Sequence, residues 1–511
     1  MRPIVRLYLT MCALLLAACA ALPQRPELPL QMAIPAGSHT KLDLLIAPAE
    51  ARHPGAAGFR LVSTGPEAFA IRVRTAALAE RSLDVQTYIW NSDLTGQYLA
   101  HVLLTAADRG VKVRLLVDDM NARSRNLSFT ALGVHPNIEV RVFNPLASRS
   151  GALPLMGDFL SSGKRLNHRM HNKIWIADNR IAIGGGRNLG DEYFGASENV
   201  NFVDLDFAMV GPVVREASAS FDKYWNSRAA YPIALLNPGA LTPVELERVR
   251  KGADQAAAQG KVSSYAELLK RDDAVERLVD GDWALDWSSD FLFVSDDPLK
   301  ALKRPGLDKS NVLSVLLPVL KSAQKSQMLI SPYFVPGVTG TDAFVTKVKD
   351  GQQVRILTNS LAANDVTLVH GGYSRYRKAL LSGGVELWEL KPLPGSKAKK
   401  SLFGSNSASL HTKALVVDSL QLFVGSYNLD PRSTSLNCEQ GVLVTSAVLA
   451  SQFEQIFAQQ SDSARAWRVS LVDGDLSWTD GTKTYDSDPL ATTAQRFQAW
   501  LARVLPFESQ L

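Results

Sequence analysis

Two stretches of the chain set a histidine, a lysine and an aspartate at identical intervals: His171-x-Lys173-x4-Asp178 and His411-x-Lys413-x4-Asp418. Along an extended segment alternate side chains share a face. His171 with Lys173, and His411 with Lys413, therefore each present an imidazole and an ammonium to one ligand. The apolar runs Ile174 to Ala177 and Ala414 to Val417 carry each segment into a core, and the aspartate marks the strand's end. Counted from each histidine, position +14 is Gly185 or Gly425, +15 is Gly186 or Ser426, and +17 is Asn188 or Asn428. Small residues let a phosphate approach the backbone, and an asparagine amide offers a donor.

One such stretch is half a site. Phosphodiester exchange through a covalent intermediate needs one neutral histidine to attack phosphorus and one protonated histidine to donate to the leaving alcohol. Two half-sites supply both, with Lys173, Lys413, Asn188 and Asn428 on the nonbridging oxygens. Two ammonium groups then fill the electrostatic role of a divalent ion, and no cluster of carboxylates is visible. No metal or other cofactor is expected.

The elements that must position these groups also come twice. Ser82 to Trp90, Val111 to Val117 and Ile138 to Phe143 read as strands, with a helix over Leu94 to Arg109 stopped at Gly110. Met328 to Phe334, Val354 to Leu357 and Val385 to Leu390 repeat that order, with a helix over Asp342 to Lys349 stopped at Gly351. Gly110 lies 61 residues before His171 and Gly351 lies 60 before His411, a duplication at a period of about 240 residues. It predicts an α/β fold of two halves related by a pseudo-two-fold axis, two mixed sheets flanked by helices.

The expected organisation is a signal peptide (1–18), a lipidated N-terminus and tether (19–60), a first half (61–230), a connecting insert (231–310) and a second half with a C-terminal helix (311–511). Arg2 and Arg6 precede an apolar stretch too short to span a bilayer. It ends Leu16-Ala17-Ala18-Cys19, which resembles a bacterial lipoprotein cleavage box with Cys19 as the acylated residue. Only Cys12, Cys19 and Cys438 exist, so no pair survives processing to form a disulfide. The tether is read from its many prolines, and the acidic, Trp-bearing stretch from Arg271 to Pro298 reads as a helical cover. Loops precede both motifs: an apolar one containing Leu153 to Leu160, and one bearing Lys391, Lys397, Lys399 and Lys400. His168 reads as incidental. Phe497, Trp500, Leu501, Val504 and Leu505 form a helical stripe expected to dock on the core.

The paired motifs, with Gly184-Gly185-Gly186-Arg187-Asn188-Leu189-Gly190-Asp191 and Gly425-Ser426-Tyr427-Asn428-Leu429-Asp430-Pro431-Arg432-Ser433 after them, resemble the phospholipase D superfamily, and within it the bacterial cardiolipin synthase C group. The likeness runs from about Arg60 to the C-terminus. It implies a phosphatidyltransferase working through a phosphohistidine, with a phospholipase D hydrolase as the alternative and a nuclease as a third reading. It also implies a nucleophile and a general acid, placed on His171 and His411, although pseudo-symmetry leaves the reverse chemically sound. Glu439, at +28, matches the family's acid that orients a motif histidine; the first half has Asn199 there, and Asp204 is the substitute candidate. Asp178 and Asp418 are grouped with the catalytic residues, with a role as structural pins open to them.

Net charge is +5, and loss of Arg2 and Arg6 leaves +3, too little to predict an extended nucleic-acid groove. The expected partners are membrane phospholipids, phosphatidylglycerol and phosphatidylethanolamine, met at the periplasmic side of a bacterial envelope.

Overall fold

The computed structural model describes residues 22–122, 126–147, 167–237, 242–260, 273–281, 284–302, 310–364, 366–392 and 410–504. Cys19 and the leader, Leu153 to Leu160, the lysines at 397, 399 and 400, and Leu505 lie outside the described residues.

The first half is built on β1 (Ala57–Val62), β2 (Ser82–Thr87), β3 (Lys112–Asp118), β4 (Ile138–Phe143), β5 (Ile174–Ala177), β6 (Ile181–Gly185), β7 (Asp206–Val210), β8 (Ala230–Pro232) and β9 (Asp286–Ser288). They form one sheet in the order β8-β4-β3-β2-β5-β6-β7-β1-β9. The second half uses β10 (Phe291–Ser295), β11 (Ser326–Ile330), β12 (Gln353–Asn359), β13 (Glu386–Leu390), β14 (Ala414–Val417), β15 (Gln421–Gly425), β16 (Gln440–Thr445), β17 (Ala466–Val472), β18 (Asp475–Thr479) and β19 (Thr484–Tyr485). Their order is β10-β16-β15-β14-β11-β12-β13-β17-β18-β19. Read from opposite ends, β4-β3-β2-β5-β6-β7-β1 and β13-β12-β11-β14-β15-β16-β10 are the same seven-strand unit. In each, three parallel strands are followed by antiparallel ones.

The motif strands show why the halves associate. Ile174 and Ile176 face one side of their sheet, with Ala414 and Val416 in the same central core; Trp175 and Ala177 face the outer layer of the first half, and Leu415 and Val417 that of the second. Between the sheets lie the helices Pro212–Asn226 and Ala447–Gln460, which place Phe221, Trp225, Phe453 and Phe457 in that shared core. Separating the halves would expose these aromatics, so the association is driven mainly by apolar burial.

Three expectations are corrected here. The stretch to residue 60 is not a free tether: Lys41–Arg52 is a helix with a capping box at Thr40, and β1 is an interior strand between β7 and β9. Even before it, Arg25 Nε donates to Ala230 O and Trp225 Nε1 donates to Gln31 Oε1, so proline content there marks a chain laid along the surface. The connecting insert is not apart from the halves either, because β8 and β9 join the first sheet and β10 joins the second. Third, Phe497, Trp500, Leu501 and Val504 face outward; the C-terminal helix Thr493–Val504 docks through its small residues, with Ala499 and Ala502 buried. A Cβ at Gly371 would come within 2.6 Å of Ala499 O and Ala502 Cβ, so the close approach requires glycine.

Candidate active site

Each motif enters the site before its strand begins. His171 to Lys173 and His411 to Lys413 precede β5 and β14, and they pair with the opposite half: the His171 N–H donates to Cys438 O, and the His411 N–H to Val203 O, both 2.8 Å. The alternation argument still holds for this extended backbone. Lys173 Nζ donates to His171 O at 2.6 Å and Lys413 Nζ to His411 O at 2.5 Å, which folds each ammonium back beside its own histidine.

The acids that hold the histidines are exchanged between the halves. His171 Nδ1 lies 2.9 Å from Glu439 Oε2 and 3.1 Å from Ser426 O, and His411 Nδ1 lies 2.6 Å from Asp204 Oδ2. All three partners are acceptors, so Nδ1 carries the proton in both rings and the Nε2 lone pair is left to act. Sheet register explains why counting along the chain missed the equivalence of Asp204 and Glu439. Gly185 pairs with Asp206 and Gly425 with Gly441, so Asp204 and Glu439 each stand two residues before the partner of an equivalent glycine. The first half has 21 residues across that interval and the second 16, which moves the acid five places along. Gly186 makes room for it: a Cβ there would lie 2.1 Å from Asp204 Oδ1. At the equivalent place the Ser426 hydroxyl donates to Glu439 Oε2 at 2.5 Å. Ser433, whose hydroxyl donates to Glu439 Oε1 at 3.0 Å, was not singled out in the sequence and has no spacing signal of its own.

Electrostatics here is dominated by burial of like charges. Burial pulls His171 down to about 4 against the opposing Glu439, and it pulls the Lys173 ammonium down to about 7, with Lys413 adding to the fall. Burial and the two lysines push His411 well below its usual range. Glu439 stays below the usual carboxylate range despite its burial, because His171 and Lys173 favour its charge; Asp204 is pushed up by burial against Lys413 and Arg187. The site is thus short of negative charge, which a phosphodiester would supply. Tyr88 packs edge-on to His171, and Tyr193 edge-on to His411 with Phe202 beside it, so both rings are also walled by aromatics.

The remaining predicted residues divide. Asn428 is buried, and its side-chain oxygen has no hydrogen-bond partner. Asn188 is held in place, its Nδ2 donating to Tyr193 Oη at 2.9 Å and its Oδ1 accepting from Ile89 N–H at 3.1 Å, which fixes the amide and occupies one of its two Nδ2 hydrogens. Asp178 and Asp418 sit at the far ends of their strands, with φ of 50° and 54°. Asp178 accepts from the N–H groups of Glu80, Arg81 and Ser82, and Asp418 from those of Gln324, Lys325 and Ser326. They pin strand ends and touch no reacting group. His168 is buried rather than a loose loop residue, its Nδ1 2.9 Å from Leu436 O across the halves. The described residues hold one cluster with ligand-like spacing, His370, Glu389 and Asp488, and the Arg377 guanidinium already pairs with both of its carboxylates.

The family model described as cardiolipin synthase, PLD-like domain, matches residues 73–225 and 316–461, one copy over each half. The chain belongs to that family. This cardiolipin synthase-type member of the phospholipase D superfamily is 38% identical over 480 residues to cardiolipin synthase C of Escherichia coli (strain K12), an alignment covering 92% of this chain and 99% of that protein. It is 32% identical to an uncharacterized protein of Helicobacter pylori (strain J99), covering 82% of each. The crystal structure of phosphatidylserine synthase from Haemophilus influenzae Rd KW20 shares its fold, with a TM-score of 0.57 at 14% identity, covering 91% of this chain and all of that one.

Proposed function

We propose that this chain, a phosphatidyltransferase of the cardiolipin synthase type, forms cardiolipin by moving a phosphatidyl group between membrane phospholipids through His171. The observation that carries this is the crossed pair of histidine–carboxylate contacts, which leaves two Nε2 atoms aimed from opposite halves. His171 Nε2 attacks phosphorus, the P–O bond to the headgroup alcohol breaks, and His411 gives that alcohol its proton. The acceptor alcohol then loses its proton to His411 and attacks phosphorus, and the P–N bond to His171 breaks. Lys173, Lys413 and Asn428 hold the nonbridging oxygens, while Glu439 and Asp204 fix the tautomers. Pseudo-symmetry permits the reverse assignment, but Glu439, with Ser426 and Ser433 donating to it, holds the more firmly anchored ring, as suits a nucleophile. The +3 charge that remains after loss of Arg2 and Arg6 is too small for an extended nucleic-acid groove.

Purified enzyme in bilayers of phosphatidylethanolamine and phosphatidylglycerol should yield cardiolipin in excess of phosphatidic acid. Water at about 55 M competes for the phosphohistidine, and only a site that orders the alcohol overcomes that advantage. Phosphatidic acid as the main product at saturating phosphatidylglycerol would make the enzyme a hydrolase with the same histidine chemistry. His171→Asn and His411→Asn should each abolish turnover in the same assay.

Acylation at Cys19 is part of the same proposal. From Cys19 to Arg25, the first of the described residues to hydrogen-bond to the body, is six residues, a reach of at most about 20 Å. The anchor therefore holds the first half close against the bilayer, rather than swinging on the long tether first expected.

A further inference from the structure

We propose that the C-terminal helix Thr493–Val504 is a second, non-covalent membrane contact that lies in an anionic phospholipid surface and seats the active-site end of the second half on it. The inference rests on the phospholipid reading of the site, and it concerns a surface no part of the catalytic argument used.

At about 100° per residue, Gln495, Ala499 and Ala502 fall on one side of this helix, and Phe497, Trp500, Leu501 and Val504 on the opposite side. The first side is docked: Ala499 and Ala502 are buried against Gly371, and Gln495 Nε2 donates to Leu361 O at 3.3 Å. The second is open, with Phe497 61%, Trp500 55% and Val504 56% exposed. Four large apolar residues, two of them stacked aromatics with ring centroids 5.9 Å apart, thus stand in solvent while alanines face the protein, the reverse of a helix meant only to complete a core.

Charge selects the occupant. The helix carries Arg496 and Arg503 along one flank and no acidic residue, and Arg375 Nη2 donates to Ala502 O beneath it. An aromatic and aliphatic face bordered by arginines, with no carboxylate on the helix, suits the boundary between acyl chains and anionic headgroups. Position agrees. Leu361 is two residues, at most about 7 Å, beyond Asn359, whose side chain brackets the backbone N–H and carbonyl of Leu410 next to His411. The helix therefore flanks the carboxyl-terminal ends of β11, β12 and β13, where the motif enters.

The test compares the full chain with its Trp500→Phe variant on vesicles of phosphatidylethanolamine and phosphatidylglycerol brominated in their acyl chains. Trp500 should emit at shorter wavelength on the vesicles and be quenched by bromine, so the variant should lose most of the quenchable signal among the nine tryptophans. In parallel, the Phe497→Ser, Leu501→Ser variant should turn over a short-chain phospholipid below its micellar concentration at the wild-type rate, yet need about tenfold more vesicle lipid for half-maximal rate. Equal quenching of wild type and Trp500→Phe would overturn the proposal. So would shielding of Trp500 from acrylamide without lipid, which would mean that another part of the chain covers it. Dimeric wild type that becomes monomeric in the double variant, with no bromine quenching, would assign the stripe to a contact between copies. If wild type fails on the short-chain lipid as well, the proposed chemistry is at fault, and the quenching comparison still decides the contact.

Discussion

His171 and Lys173 do their work only in opposite protonation states, and burial has moved both into reach of ordinary pH. The attacking Nε2 must be free, so activity rises as pH climbs through about 4, where burial has brought His171. The ammonium must be charged, so activity falls as pH climbs through about 7, where burial has brought Lys173. His411, pushed well below its usual range, must also carry a proton to serve as the acid, so the kcat/KM profile should be a bell with its acid limb near 4 and its alkaline limb at or below about 7. An anion in the site favours the charged forms. Binding of tungstate or inorganic phosphate at pH 7 should then take up about half a proton or more, measured by calorimetry in buffers of different ionisation enthalpy. Proton release on binding would contradict the account. Glu439→Gln removes the charge that holds up the His171 pKa and replaces an acceptor-only group with an amide that can turn either its oxygen or its NH2 to Nδ1, so the tautomer is no longer fixed. Its acid limb should shift to lower pH and its rate drop by about 10²- to 10⁴-fold with the fold intact. A variant within threefold of wild type would show that the carboxylate is not what orients the ring.

The motif aspartates belong to the strands, and their loss should be felt as stability. Asp178→Ala leaves three backbone N–H groups unmatched and puts alanine at φ 50°, which should cost about 2–4 kcal/mol in urea unfolding. Asp178→Asn keeps an acceptor oxygen and tolerates that φ, so it should cost less than half as much. Full stability with lost activity in Asp178→Ala would instead make the aspartate a chemical group. The contrast shows what kind of information was legible in the chain. His171 to Asp178 could be read because an eight-residue stretch encodes a whole device, a presented pair, an apolar strand and a pinned end. Asp204 was found only approximately because loops change length freely while sheet register does not. β1 stayed hidden behind a proline-rich approach, and β9 and β10 are three- and five-residue edge strands, too short for periodicity to declare. The C-terminal stripe was recognised and turned the wrong way, since hydrophobic size says nothing of whether a glycine-lined surface waits for alanines.

At the scale of the molecule the site exists only where the halves meet. Each histidine takes its backbone partner and its carboxylate from across the pseudo-dyad, and one apolar core fills the space between the sheets. Residues 22–289 and 290–511, divided between β9 and β10 and produced as separate chains, should each lack activity, and each should bind apolar dyes through its bared inner face. Mixing the two should restore turnover only to the extent that they co-elute as one species. Activity from either piece alone would refute the shared site. Turnover of the intact enzyme should survive EDTA, because Lys173 and Lys413 already provide the positive charge; a loss reversed by magnesium would show that they do not suffice.

The exchanged carboxylates also carry a record of descent. A polypeptide one repeat long could build this site only as a two-fold homodimer, since a histidine and the acid that holds it never come from the same copy. Carried on one chain, the two copies keep that partnership permanently and need not be identical. One copy now has a glutamate braced by two serines, and the other has an aspartate reached across an interval five residues longer. Selection on Asp204 is thus exerted through a histidine 207 residues away in the other repeat, and selection on Glu439 through one 268 residues away. A change at either acid is therefore felt at a histidine in the other repeat, whatever the rest of the two copies has become.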